Sequence, residues 1–402
     1  MKKTYLLLLL VLVFGCKQKT AEAQVIINEA AQTEDNPVKA RFAKMEADAL
    51  KKDYDGIFTD DGKLSDLFPI KASGVSTSGI QKAATAFLAS LDANQRKRIK
   101  FEIDDVEWRK WSNVDNGIYE RQGVSLMEMT ANQKKAAFHL MQEALSAKGL
   151  QLSKDIMKTD QTLKEINNGS DDYDEELYFF TLMGTPSETQ PWGWQLDGHH
   201  LIINYFILGD QIVMSPVFMG GEPIITTSGK YKGNTIFQDE QNVGLAFMQS
   251  LSEEQQKKAI LDSSKAHNNN VAAANKDNLI LNYEGLQLSE MTSDQQEELT
   301  KLIAMYVNNI REGHQQIRME EVLQHLDHTW FAWVGHTDED AVFYYRIHSP
   351  VILIEFDHQR AVGVPSEVSG ATRNHIHTML RTPNGNDYGK DLLRQHLEKA
   401  HK

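Results

Sequence analysis

Two imidazoles two residues apart in NHIHTML (374–380), two carboxylates spaced the same way in VILIEFDH (351–358), and a double histidine in WGWQLDGHHLIINYF (192–206) have the types and spacing for metal chemistry. All three sit in runs rich in β-branched and aromatic residues that read as strands. A polar group buried there costs roughly 1–3 kcal/mol unless it is hydrogen-bonded or holds an ion, so each needs a partner. Alternate residues of a strand share a face, which pairs His375 with His377 and Glu355 with Asp357. Of His199 and His200 only one can join that face, and His200 is the expected one. A mononuclear centre of His200, Glu355, His375 and His377 offers only nitrogen and oxygen, a set that suits one divalent ion of Zn, Fe, Mn or Cu. Three of the four as ligands would leave a position for water or substrate. The alternative is a surface strand for the histidines and a pair of buried hydrogen-bond acceptors for Glu355 and Asp357.

Other residues are candidates for substrate or proton handling. Asp357 is placed for general-base work, and His336, after Gly335 at a strand end, for acid–base work. Arg381, Asp387 and Tyr388 lie on the turn RTPNGNDYG, where a loop can hold polar groups of a substrate. Trp192, Trp194, Trp330 and Trp333 suit either a pocket wall or the core. A metal-free hydrolase would pair Glu355 or Asp357 with His375 or His377. Serine nucleophiles are disfavoured, because no Gly-x-Ser-x-Gly elbow occurs and Ser215 and Ser349 precede prolines.

The elements that must position these residues recur along the chain. AFLASLDANQRKRI (86–99) resembles AFMQSLSEEQQKKAI (246–260), and GVSLMEMTANQKKA (123–136) resembles GLQLSEMTSDQQEEL (285–299), both offset by about 160 residues. Each reads as a helix opening with its capping residues, and the spacing predicts helices over 131–148 and 293–311. Strand-like segments follow at 178–187 and 330–339, then at 194–206 and 345–357, an alignment that sets Asn204 against Glu355. The expected fold is therefore α+β: two pseudo-repeated helix–helix–sheet halves, about 38–240 and 241–402, whose mostly antiparallel strands form one joint sheet or two packed sheets. A site between the halves follows naturally; two independent domains are the alternative.

The chain has 402 residues, enough for one large or two ordinary domains, and 41% hydrophobic content supplies a core. Residues 1–15 read as a signal peptide, and the single cysteine, Cys16, follows the apolar run as in a bacterial lipoprotein. Lipidation at Cys16 would leave no thiol for catalysis, disulfides or metal binding. Residues 16–37 read as a tether, giving a lipid-anchored protein of the cell envelope that meets the membrane through its anchor alone. Acidic residues outnumber basic ones, 56 to 42, and no phosphate loop or basic stretch occurs, which argues against nucleic acid as a partner and for a small molecule.

PWGWQLDGHH (191–200), PVFMGGEP (216–223), YYRIHSPVILIEFDH (344–358) and NHIHTMLRTPNGNDYGKDLLRQH (374–396) resemble the family known as domain of unknown function 3500, from about residue 40 to the end. One departure is Ser349, where the resemblance leads one to expect glycine. The resemblance implies membership and no activity. The residues themselves point to a metal-dependent hydrolase or oxidoreductase acting on a small or carbohydrate-like molecule, with a non-catalytic binding lipoprotein as the rival.

Overall fold

The computed structural model describes residues 36–366 and 369–400. The signal segment, Cys16 and nearly all of the tether lie outside the described residues. Asn36 caps the first helix, α1 (Pro37–Leu50), its Oδ1 accepting from the N–H groups of Val38 and Lys39. The chain then runs through β1 (Gly56–Phe58), α2 (Ser78–Ser90), α3 (Ala93–Ile99), β2 (Lys100–Phe101), β3 (Val124–Ser125), α4 (Ala131–Ala144) and α5 (Ala147–Ile166). Four longer strands follow: β4 (Tyr178–Gly184), β5 (Trp192–Gly198), β6 (Leu201–Leu208) and β7 (Gln211–Gly221).

The second stretch has α6 (Gln238–Ser250), α7 (Glu253–Ala259), β8 (Ile260–Asp262), β9 (Asn278–Ile280), β10 (Leu286–Gln287), α8 (Ser293–Val307) and α9 (His314–Leu323). Then come β11 (Trp330–Gly335), β12 (Phe343–His348), β13 (Leu353–Arg360), β14 (Ala371–Arg381) and a last helix, α10 (Lys390–Ala400). This is a mixed fold of ten α-helices among the described residues, with mostly antiparallel strands.

Twelve strands join one sheet in the order β10-β11-β12-β13-β14-β7-β6-β5-β4-β2, with β3 also on β4 and β8 also on β11. Among the described residues, only β2 with β4 and β8 with β11 run parallel in it. Its middle is the antiparallel pair β7–β14, in register from Ile376 opposite Gly221 to Leu380 opposite Val217. A separate parallel pair, β1–β9, ties the start of the described chain to residues 278–280.

The helix starts follow from side-chain chemistry. Asp92 with Gln95, Thr130 with Gln133, Ser252 with Gln255, and Thr292 with Gln295 each form a reciprocal cap. The cap glutamines also bond across helices: Gln133 Nε2 donates to Gln95 Oε1 at 2.7 Å, and Gln295 Nε2 to Gln255 Oε1 at 3.0 Å. The helix expected over 131–148 is two helices. Leu145 is extended and Ser146 caps a fresh start, its Oγ accepting from the N–H of Gly149. The break lets the backbone meet the later half, with Ser146 N–H donating to the Asn309 carbonyl at 3.0 Å and Arg311 N–H to the Ala144 carbonyl at 3.2 Å. Gly149 is required there, since a Cβ would stand 2.4 Å from that same Asn309 oxygen. The later helix likewise stops at Val307 rather than 311, turning into the same contact.

Trp192, Trp194 and Trp333 are wholly buried in the core, so they wall no opening. Trp330 is half-buried and stacks on Tyr283 with ring centroids 4.2 Å apart. Ser349 sits in a tight turn, its hydroxyl accepting from the N–H groups of Val351 and Ile352.

Candidate metal centre

The hairpin between β5 and β6 has only His199 and His200 at its tip, closed by Gly198 opposite Leu201. His200 takes a left-handed backbone, φ 62°, a conformation that costs a non-glycine residue about 1–2 kcal/mol. Its carbonyl accepts from Gly220 N–H at 2.8 Å, which lays the tip against β7. On the next strand, β14, alternation puts His375 and His377 on one face, and His377 lies directly opposite Gly220. The missing side chain of Gly220 makes room for the His377 ring. A Cβ there would stand 3.0 Å from His377 Cδ2 and 2.8 Å from the Ile376 carbonyl oxygen.

The three imidazoles converge through their Nε2 atoms. His375 Nε2 is 3.2 Å from His200 Nε2 and 2.9 Å from His377 Nε2. A tetrahedral ion with metal–nitrogen bonds of about 2.0–2.1 Å sets its ligand atoms roughly 3.3 Å apart, so the spacing is close to what one ion would impose. Burial pushes the pKa of His200 and His377 well below the ordinary histidine value, helped by neighbouring imidazoles, and lowers that of His375 despite Glu222. The rings are therefore neutral and can donate lone pairs. His375 Nδ1 is 2.7 Å from the Arg360 carbonyl, which fixes its proton on Nδ1 and leaves Nε2 free. Glu222 lies 3.6 Å from the same Nδ1 and accepts from the N–H groups of Val362, Gly363 and Val364, pinning that loop beside the cluster.

A second group adjoins the first. His199 Nδ1 is 2.7 Å from Asp160 Oδ1, and the other oxygen of Asp160 accepts from the Tyr178 hydroxyl at 2.6 Å. The His199 ring stacks on His200 with centroids 3.8 Å apart. Asp160, His199 and His200 thus form a further set whose ligand atoms approach one another within 4.8 Å. Sequence reasoning missed Asp160 and Glu222. Asp160 carries a readable signal, since it lies on the buried stripe of α5 with Ile156 and Leu163, where a carboxylate is out of place.

The expected carboxylate ligand is elsewhere. Glu355 accepts from the N–H groups of Val271 and Ala272 and from the Tyr344 hydroxyl, so both its oxygens secure the 271–272 segment. In register Glu355 stands opposite Met379, while His377 is opposite Asp357. Asp357 is in turn engaged by Lys265, 2.8 Å away, and by the N–H groups of Asn269 and Asn270. Burial raises its pKa to about 7 against the pull of Lys265.

Arg381 and Asp387 pair with each other at 2.9 Å. Arg381 also donates to the Ala272 and Ala273 carbonyls, and Asp387 accepts from Ser215 and from Thr382 N–H. Both are buried, so they brace the loop instead of presenting polar groups to a substrate. Tyr388 is buried too, its oxygen accepting from Trp111. His336 is exposed at the far end of β11, where its carbonyl accepts from Trp333.

The sequence profile of the family described as "Protein of unknown function (DUF3500)" matches residues 73–390. The chain belongs to the DUF3500 family. All the histidines and carboxylates of the two groups fall within the matched DUF3500 segment. No curated protein and no solved structure matches the chain. Among the described residues of this DUF3500 member, no helix is long and apolar enough to cross a membrane.

Proposed function

We propose that this protein is a metal-dependent hydrolase of the cell envelope, acting on a small or carbohydrate-like molecule at a centre held by His200, His375 and His377. The convergence of three buried, neutral Nε2 atoms carries this reading. An all-imidazole set of three favours zinc-type water activation over the two-histidine, one-carboxylate set typical of iron oxygenases. A divalent ion held there would supply Lewis acidity and a water of lowered pKa. The chain's own residues hold and orient. The Arg360 carbonyl fixes the His375 tautomer, Gly220 admits the His377 ring, and the strained tip of the β5–β6 hairpin presents His200. An oxidoreductase using the same three ligands is the neighbouring reading. The metal-free alternative is disfavoured because Glu355 and Asp357 are taken up by backbone amides and Lys265.

The finer organisation is read as a duplication of about 38–240 in 241–402. Strand pairing supports it: β2 and β3 attach to β4 as β8 and β10 attach to β11, and the cap glutamines bond in the same way in both stretches. Residues 1–15 would be a signal peptide, Cys16 the lipidated first residue, and 16–37 the tether.

The test is elemental analysis of the protein from residue 17 onward beside a His375→Ala, His377→Ala variant. Near-stoichiometric metal that disappears in a variant with unchanged circular dichroism is the expected result. No bound metal after loading with Zn, Fe, Mn or Cu would overturn the reading and leave a ligand-binding lipoprotein.

A further inference from the structure

The three-histidine set leaves one nitrogen unexplained. Metal-bound histidines as a rule donate their second ring N–H to a carboxylate, a carbonyl or water, as His375 does to Arg360. His200 is 2% exposed, and its Nδ1 is buried with no hydrogen-bond partner. On a ring that already offers Nε2 to the cluster, this is an orphan that a built site would have to account for. Asp160 and His199, both buried, lie with His200 in the second group.

We infer that this protein holds a second divalent ion, bound by Asp160, His199 and the Nδ1 of His200, with His200 bridging the two ions. The inference rests on the three-histidine reading, since the bridge needs an ion on its Nε2 side. The donor set is two nitrogens and one oxygen, which suits Zn or Cu(II). Its contacts differ from those of the first set: His199 Nδ1 and Asp160 Oδ1 are 2.7 Å apart, close enough for one ion, but the His199 and His200 rings lie face to face with centroids 3.8 Å apart and must turn edge-on to share it. Tyr178 donates to the other oxygen of Asp160, leaving Oδ1 as the ligand and orienting the carboxylate from behind. Binding replaces the proton on His200 Nδ1, which is released to solvent, and the proton that His199 Nδ1 shares with Asp160 gives way to the ion, the neutral His199 ring carrying its one proton on Nε2 instead. Two ions on opposite nitrogens of one imidazole sit about 6 Å apart, farther than the roughly 3.5–4 Å of water-bridged pairs. The second ion therefore acts through His200 and not by sharing the reacting water.

The experiment is a titration of the metal-stripped protein with Zn2+ and separately with Cu2+, followed by elemental analysis and, for Cu2+, electron paramagnetic resonance. Two equivalents are expected, with a magnetically coupled pair in the copper form. Asp160→Asn and His199→Gln are expected to hold one equivalent with an uncoupled copper signal and unchanged circular dichroism. One equivalent in the parent, uncoupled, would overturn the second ion while the three-histidine reading stands, and His199 with Asp160 would then be a hydrogen-bonded buttress for His200. Zero equivalents would sink both. The parent's stoichiometry and coupling decide the matter even if a variant fails to fold.

Discussion

His348 shows how far burial alone can move a single residue. It lies at the end of β12 with 2% of its surface exposed, its ring against Tyr283 and its Nδ1 without a partner. Burial, with Arg346 beside it, pushes its pKa down from 6.5 to about 3. Between those values the unfolded chain binds more protons than the folded one, so stability rises with pH across the window. The contribution is complete above about pH 6.5 and is lost as the pH falls toward 3, at no more than about 1.4 kcal/mol per pH unit. Denaturant melts at pH 4, 5 and 7 should show this loss, and His348→Gln should make it shallower; an unchanged slope would mean the ring is hydrated. At this scale much was legible in the sequence. His375 and His377 share a face because strands alternate, and that rule needs no partner strand. The choice of Glu355 failed because it needed the register between β13 and β14, which sets Asp357 and not Glu355 opposite His377. Asp160 escaped because its signal, a carboxylate on a buried helical stripe, says that it needs a partner without saying that the partner is His199, some forty positions later.

Between elements, the spacing of β7 and β14 at Gly220 controls the cluster. Alanine at this position would bring a methyl group to 3.0 Å from the His377 ring and 2.8 Å from a backbone oxygen. The backbone oxygen cannot swing away, so either the strands part or the ring turns off its fellows. Gly220→Ala is expected to destabilise the protein by about 1–3 kcal/mol and to weaken metal binding at least about tenfold, read by thermal melts and metal titration. Normal affinity in this variant would mean that His377 is not a ligand. Helix starts were well marked in sequence because a cap is a short-range device: Thr130 with Gln133 and Thr292 with Gln295 are each visible within four residues. The break at Leu145 and Ser146 was hidden, because the apolar spacing continues across it and the cause is a contact with residues 309–311.

For the whole molecule, the consequence of a joint sheet is that neither half has a complete surface alone. β7 and β14 would each be exposed as an edge, and the contact of residues 144–149 with 309–311 would be lost. Residues 38–240 and 241–402 expressed separately are expected to aggregate or remain unfolded by circular dichroism and size exclusion. Co-expressed, they should recover a single particle with one melting transition. Two well-folded, monomeric halves would show that each carries a self-sufficient core. The mixed helix and strand content was legible from the segments' patterns, whereas whether the strands shared a sheet was not, because pairing over some 160 residues leaves no local trace.

The cluster draws His200 from the β5–β6 hairpin and His375 and His377 from β14, His375 standing 175 positions after His200. If the three histidines hold an ion as proposed, the growing polypeptide cannot grip it with all of them until β14 has emerged. If the chain is threaded across a membrane unfolded, it travels empty and loads only where folding finishes. Because three imidazoles suit several divalent ions, the compartment of final folding, through the metals it makes available, would then take part in choosing the occupant.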